Sequence, residues 1–160
     1  MSQITVLGVG NILLRDEGFG VKVAEELQQR YRFPDFVQVL DGGTLGMELL
    51  RFLTDTKKIL IVDAVDGGEK PGTFYRFAGD EVQAYFQEKV SLHDMGIRDV
   101  LTSLEILGHG VDETVIMGVQ PESLELGLDL TATVAAVLPL TLSKVLEQLS
   151  LWGVEVGTHE

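Results

Sequence analysis

The sequence predicts an α/β fold, a three-layer α/β/α sandwich built on a mostly parallel, twisted sheet of about five strands with one antiparallel edge strand. Three observations carry that prediction. Short apolar runs rich in β-branched residues alternate with apolar stripes at helical spacing from the first residues onward. The run 58–62 is apolar nearly throughout, the pattern of a parallel strand covered on both faces. The order of elements is βαβαβ, then a lone strand, then αβα, which places helices on both sides of one sheet.

Taken in order, residues 4–9 form the first strand and end in Gly8-Val9-Gly10-Asn11. Phe19, Val23, Leu27 and Tyr31 then recur every fourth position, with Ala24 beside them, and Pro34 closes that helix. A second strand over 36–40 enters the turn Asp41-Gly42-Gly43-Thr44, and a helix carrying Leu45, Leu49, Leu50 and Leu53 follows. The third strand, 58–62, delivers Asp63 at its carboxyl end. Gly67-Gly68 and Pro71-Gly72 mark turns before a short edge strand at 73–77. Residues 80–86 make one or two helical turns. Residues 95–107 form an amphipathic helix with Ile97, Val100, Leu101, Leu104 and Leu107 on one side. The last strand spans 114–119, and a final helix over 131–149 carries Val134, Leu138, Val145 and Leu149, with a kink expected at Pro139. The last few residues are expected to fray.

Composition narrows the function. The 160 residues fit one domain, 1–160, with its core between about 4 and 149. The apolar runs fall short of the ~20 residues that cross a bilayer. No basic segment precedes the first strand, so no signal peptide is visible, which points to the cytoplasm. With 12 basic against 25 acidic residues the formal net charge is −13. Such a surface repels phosphate backbones and anionic headgroups, so neither nucleic acid nor membrane is expected as a partner. The absence of cysteine excludes disulfides, thiolate zinc sites, iron–sulfur clusters and cysteine-protease chemistry.

In an open α/β sheet, ligands gather beyond the carboxyl ends of the strands. The four parallel strands lead to Gly10-Asn11 and Asp16-Glu17, to Asp41-Gly42-Gly43-Thr44, to Asp63, and to Gln120-Pro121-Glu122, while His93-Asp94 precedes the 95–107 helix. Folding can therefore bring several carboxylates and one imidazole to a single rim. Each has a plainer explanation. Asp16 reads as the N-cap of the helix that follows it, and Asp94 as the cap of its own. Glu17 suits the positive end of a helix dipole, and a histidine placed like His93 is by itself more often a surface or capping residue. Asp63 is harder to explain structurally, since a carboxylate at the end of four apolar strand residues needs a partner, a proton or a metal. His109 lies between glycines and His159 near the tail. Gly8-Val9-Gly10 is a poor dinucleotide fingerprint, because Leu13 stands where the third glycine belongs and two acids follow. Neither a Gly-x-Ser-x-Gly elbow nor a His-Glu-x-x-His helix occurs.

Five ordered segments resemble the motifs of the nickel–iron hydrogenase maturation endopeptidases. They are Gly8-Val9-Gly10-Asn11-Ile12-Leu13-Leu14-Arg15-Asp16-Glu17-Gly18-Phe19-Gly20-Val21, Asp41-Gly42-Gly43-Thr44-Leu45-Gly46, Ile61-Val62-Asp63-Ala64, Ser91-Leu92-His93-Asp94-Met95-Gly96 and Gly118-Val119-Gln120-Pro121-Glu122-Ser123. The resemblance runs from about residue 4 to 149. It implies an enzyme that removes the C-terminal extension of the hydrogenase large-subunit precursor once nickel is in place. It also implies that Glu17, Asp63 and His93 contact the metal and belong to the catalytic site. The turn Asp41-Gly42-Gly43-Thr44 is expected to face the substrate, because its glycines let backbone approach a peptide. Nickel would arrive with the precursor, and zinc or cadmium could substitute for it. A monomer is expected.

Two carboxylates and an imidazole suit nickel, zinc or manganese better than copper(I). No activated nucleophile is apparent, so water is the expected attacker, with the metal polarising the carbonyl or with Glu17 or Asp63 as base. Metal used for recognition alone remains open at this point. So do a non-cleaving, nickel-dependent chaperone and a metallopeptidase with its own zinc. Which hydrogenase is the client is not legible.

Overall fold

The computed structural model describes residues 3–43, 46–87 and 94–159. Strand β1 (Ile4–Val9) is buried along its whole length. A 3-10 turn over Arg15–Gly18 leads into helix α1 (Phe19–Arg30). The helix stops short of its predicted last stripe residue, because Tyr31 enters the two-residue strand β2 (Tyr31–Arg32). Strand β3 (Val37–Gly43) runs through what the sequence suggested as a turn, so Asp41, Gly42 and Gly43 are strand residues. A 3-10 turn over Met47–Leu49 and the short helix α2 (Leu50–Leu53) follow.

Next come β4 (Lys58–Ala64), β5 (Phe74–Ala78), α3 (Asp80–Gln87), α4 (Asp94–Ile106) and β6 (Glu113–Val119). The predicted kinked helix is instead two helices, α5 (Ala132–Ala135) and α6 (Leu138–Leu151). Pro139 sits in the first turn of α6, where its missing N–H would have had no partner in any case. Contrary to the sequence expectation, the stretch Ala132–Leu151 taken as one helix is long and apolar enough to cross a membrane. Val134, Leu142, Val145 and Leu149 from this stretch nevertheless pack into the core. The tail is not frayed at 157–158: strand β7 (Gly157–Thr158) pairs antiparallel with β2.

The main sheet has the order β3-β1-β4-β6-β5. Its first four strands are mutually parallel, and β5 pairs antiparallel with β6 at the edge. Alternation along each strand sends side chains to opposite faces. Ile4, Val6, Leu60, Val62, Val115 and Met117 meet Phe19, Val23 and Leu27 of α1 and the Val134–Leu149 set on one face. Leu7, Ile59, Ile61 and Ile116 meet Leu53 of α2, Tyr85 and Phe86 of α3, and Ile97, Val100 and Leu104 of α4 on the other. That is the three-layer sandwich predicted. The chain turns one way out of β1 and the other way out of β3, so strand order reverses at β1.

Two glycines set how closely the first helix approaches the sheet. A Cβ on Gly8 would run into the Gly20 carbonyl, and one on Gly20 into the Val62 carbonyl. Only hydrogen fits at either place, so the start of α1 rests directly on the backbones of β1 and β4. At the amino-terminal ends of the strands, Trp152 donates its indole N–H to Glu113 at 3.0 Å. The Lys58 ammonium stands 5.8 Å from the same ring. Lys58 and Glu113 are the paired first residues of β4 and β6.

Candidate functional site

The carboxyl ends of β1, β3, β4 and β6 form one rim, and the sequence puts acids at most of these exits. Asp63, near the end of β4, is 1% exposed. Its Oδ1 accepts the Ala64 N–H at 2.8 Å, and its Oδ2 accepts the Tyr85 hydroxyl at 3.4 Å. The residue paired with Asp63 across the ladder is Gly118 of β6. A side chain at Gly118 would collide with Val65 and with the Asp63 carbonyl, so the glycine keeps the β4–β6 exit narrow and regular.

Glu17 lies in the 3-10 turn, half-buried, and its N–H bonds the Leu14 carbonyl at 3.2 Å. The turn packs against β4. Gly10, at φ 141°, lets the chain leave β1 so tightly that a Cβ there would overlap the Glu17 carbonyl. Glu17 and Asp63 therefore stand at the exits of two adjacent parallel strands. Among the described residues, no three His, Asp or Glu side chains are grouped closely enough to hold an ion by themselves. His93 and Thr44 lie outside the described residues.

Asp41 and Gly43 border a cleft of about 310 Å³ that is also lined by Gly10, Asn11, Ile12, Leu13 and Val21. Gly42 points away from it: a Cβ there would press on the Leu7 side chain in the core. The ladder slips at this point, with Gly8 opposite Asp41 and Val9 opposite Gly43, so Gly42 is the extra residue between them and faces the core.

Asp16 is not a helix cap. Leu14 and Gly18 hold the N-cap positions of the 3-10 turn and of α1, and neither makes a side-chain capping bond. The Asp16 carboxylate is fully buried and turned toward the 122–131 segment. Its Oδ2 accepts the N–H groups of Glu122 (2.8 Å) and Ser123 (3.0 Å), and its Oδ1 accepts the Thr131 N–H (2.8 Å). The Thr131 hydroxyl donates to the same carboxylate, 2.9 Å from Oδ2, while its oxygen accepts the Val134 N–H to cap α5. Charge-assisted bonds of this kind are about twice as strong as neutral ones, and four donors gather here where a helix cap would offer one or two.

The strand running out of β1 is tied to that loop along its backbone as well. Gly127 N–H bonds the Leu13 carbonyl at 2.9 Å, and Arg15 N–H bonds the Gly127 carbonyl at 3.0 Å. Arg15 itself is held at φ 49°, and its Nε reaches the Asp129 carbonyl at 3.1 Å. A non-glycine residue in that region costs on the order of 1–3 kcal/mol, which these bonds offset.

Gln120, buried just beyond β6, ties that exit to the exit of β4 and to the start of β5. Its Oε1 accepts the Gly67 N–H at 2.8 Å and the Tyr75 hydroxyl at 2.7 Å, and its Nε2 donates to Asp66 at 3.0 Å. Partial burial pushes the Tyr75 hydroxyl pKa above its ordinary value, with nearby Glu69 and Asp66 adding to the rise. Tyr85, Thr131 and the reach of Gln120 carried no signal in the sequence, because each matters through a partner distant along the chain.

Residues 21–148 match the family model described as hydrogenase maturation protease. The chain is 46% identical over 159 residues to the hydrogenase 2 maturation protease of Escherichia coli K12, covering 99% of this chain and 97% of that one. It is 40% identical over 156 residues to the hydrogenase expression/formation protein HupD of Rhizobium leguminosarum bv. viciae, covering 96% and 77%. The solved structure of the hydrogenase maturating endopeptidase HybD from E. coli superposes with a TM-score of 0.91 at 44% identity, covering 99% of this chain and 98% of that one. The [NiFe] hydrogenase maturation protease HybD from Thermococcus kodakarensis gives 0.76 at 27% identity, covering 93% and 99%.

Proposed function

The chain belongs to the hydrogenase maturation proteases, a family of peptidases, and from that membership we propose that it cuts the C-terminal extension from a nickel-loaded hydrogenase large-subunit precursor in the cytoplasm. The observation that carries this reading is a likeness to a hydrogenase maturating endopeptidase over 99% of the chain at a TM-score of 0.91. The chemistry at the rim supports it. Glu17 and Asp63 leave neighbouring strands as oxygen donors, and His93 is the imidazole that would complete a three-residue set for the substrate's nickel.

In this reading, nickel enters as part of the substrate and supplies a Lewis acid near the scissile carbonyl. Asp63 is held in orientation from behind by Tyr85 and the Ala64 N–H. One carboxylate of the pair takes the proton of the attacking water, and the departing amine leaves protonated. Asp41 and Gly43 line the cleft in which an extended peptide would lie.

The test is to incubate the purified protein with nickel-loaded and nickel-free precursors from a panel of hydrogenases and weigh the products by mass spectrometry. Loss of a short C-terminal peptide from the nickel-loaded form alone is expected. Equal cutting of both forms would end the nickel-reading part. An intact precursor held in a stable complex would mark a chaperone, and stoichiometric zinc in the purified protein would mark a metallopeptidase with its own metal.

A further inference from the structure

The loop behind which Asp16 is buried turns an apolar surface outward. Leu126 is 84% exposed, Leu128 63% and Leu13 55%, with Ile12 at 41% beside them. These side chains come from two short segments joined by the Gly127–Leu13 and Arg15–Gly127 backbone bonds, so they form one patch. A loop of exposed leucines ordinarily collapses inward or stays loose. This one is fixed from the inside by the Asp16 bonds to Glu122, Ser123 and Thr131. A rigid, contiguous apolar patch of this kind marks a surface that another molecule covers.

Two features say what covers it. The patch is continuous with the candidate site, since Ile12 and Leu13 also line the cleft beside Asp41, and the same segment runs directly into Glu17. Its charged border is acidic: Glu122, Glu125 and Asp129 are exposed, while the nearby cation, Arg15, is folded back on the Asp129 carbonyl. We propose that Leu13, Leu126 and Leu128 dock the precursor polypeptide next to its cleavage point, through an apolar segment that carries lysine or arginine. This rests on the cleavage reading above and names the surface that reading lacks.

The experiment uses the full chain, nickel-loaded precursor and the double variant Leu126→Ser/Leu128→Ser, which removes exposed side chains and should keep the wild-type circular dichroism. It should raise KM about tenfold while leaving kcat within about twofold, the pattern of lost uniform binding. The wild-type KM should also climb with added salt, as an acidic border facing a basic segment requires. A double variant with wild-type KM would overturn the patch and leave the cleavage reading standing, because the wild type still cuts. If the wild type holds precursor without cutting it, cleavage fails and the patch is judged by binding: equal retention by the double variant overturns it. A wild type that neither cuts nor holds any precursor ends both. Dimerisation of the wild type that the double variant loses would assign the surface to a second copy and overturn the proposal.

Discussion

The Tyr85 hydroxyl stands 3.4 Å from Asp63 Oδ2, and both residues are buried between the sheet and α3. A helix with no motif of its own thus holds the one carboxylate that the strand pattern singled out. Tyr85→Phe keeps the ring's tilted contact with Phe77 and its edge-on contact with Phe86 and removes the hydroxyl donor. Stability should fall by about 1 kcal/mol, measured by urea unfolding. Processing of nickel-loaded precursor should slow several-fold, with KM less affected than kcat, because the carboxylate loses orientation. Unchanged kinetics would reduce Tyr85 to a core residue.

Asp16→Asn separates a helix cap from a loop anchor. Loss of a cap costs about 1 kcal/mol. Replacing a buried carboxylate that gathers three N–H groups and a hydroxyl should cost about 2–4 kcal/mol. Hydrogen exchange at Glu122, Ser123 and Thr131 should accelerate beyond what global unfolding accounts for. A loss near 1 kcal/mol with those amides still protected would contradict the anchoring role.

Asp63→Asn keeps shape and removes charge. If the precursor's cation is read by this residue, the variant should leave nickel-loaded precursor uncut on a gel, while the wild type cuts it and spares nickel-free precursor. A loss of several kcal/mol in site affinity corresponds to about a thousandfold. Full activity in Asp63→Asn would remove it from the site, and Glu17→Gln and His93→Ala test the rest of the set in the same assay.

Gly8→Ala and Gly43→Ala should behave very differently. At Gly8 the added methyl meets the Gly20 carbonyl, which is backbone and cannot yield, so a loss above about 3 kcal/mol or an insoluble product is expected. At Gly43 the nearest atom to a new Cβ is Asp41 Oδ1 at 3.6 Å, and only the φ of 49° resists. That strain is about 1–2 kcal/mol, and the variant should fold. Its processing rate then reports whether the Asp41–Gly43 edge meets the peptide, with a wild-type rate marking a purely structural connection.

The central strands β1, β4 and β6 were legible because their apolar runs are covered on both faces, a pattern that depends on nothing distant, whereas the two-residue strands β2 and β7 carried no such run. Most helices were legible for a similar reason, through stripes such as Phe19, Val23 and Leu27. What local pattern could not reveal is long-range pairing. Tyr31 continues the helical stripe, yet its backbone is claimed by Thr158. Asp16 sits where a cap would, yet its partner Thr131 lies 115 residues further along. Asp41-Gly42-Gly43 has turn composition, yet its pairing with β1 continues through an irregular register as far as Gly43. At the site, the exits of β1 and β4 followed from strand order alone. The hydroxyl of Tyr85 did not, because α3 reaches Asp63 only once the layers close.

The sole tryptophan lies at the amino-terminal edge of the sheet, bound to the first residues of the strands that carry Asp63 and Gln120 at their far ends. Seven extended residues span about 23 Å. Its fluorescence is thus a gauge of whether β4 and β6 are still paired, and is insulated from events at the rim. A variant that loses processing with an unaltered emission spectrum has a damaged site on an intact frame, and one that shifts the spectrum has lost the frame first.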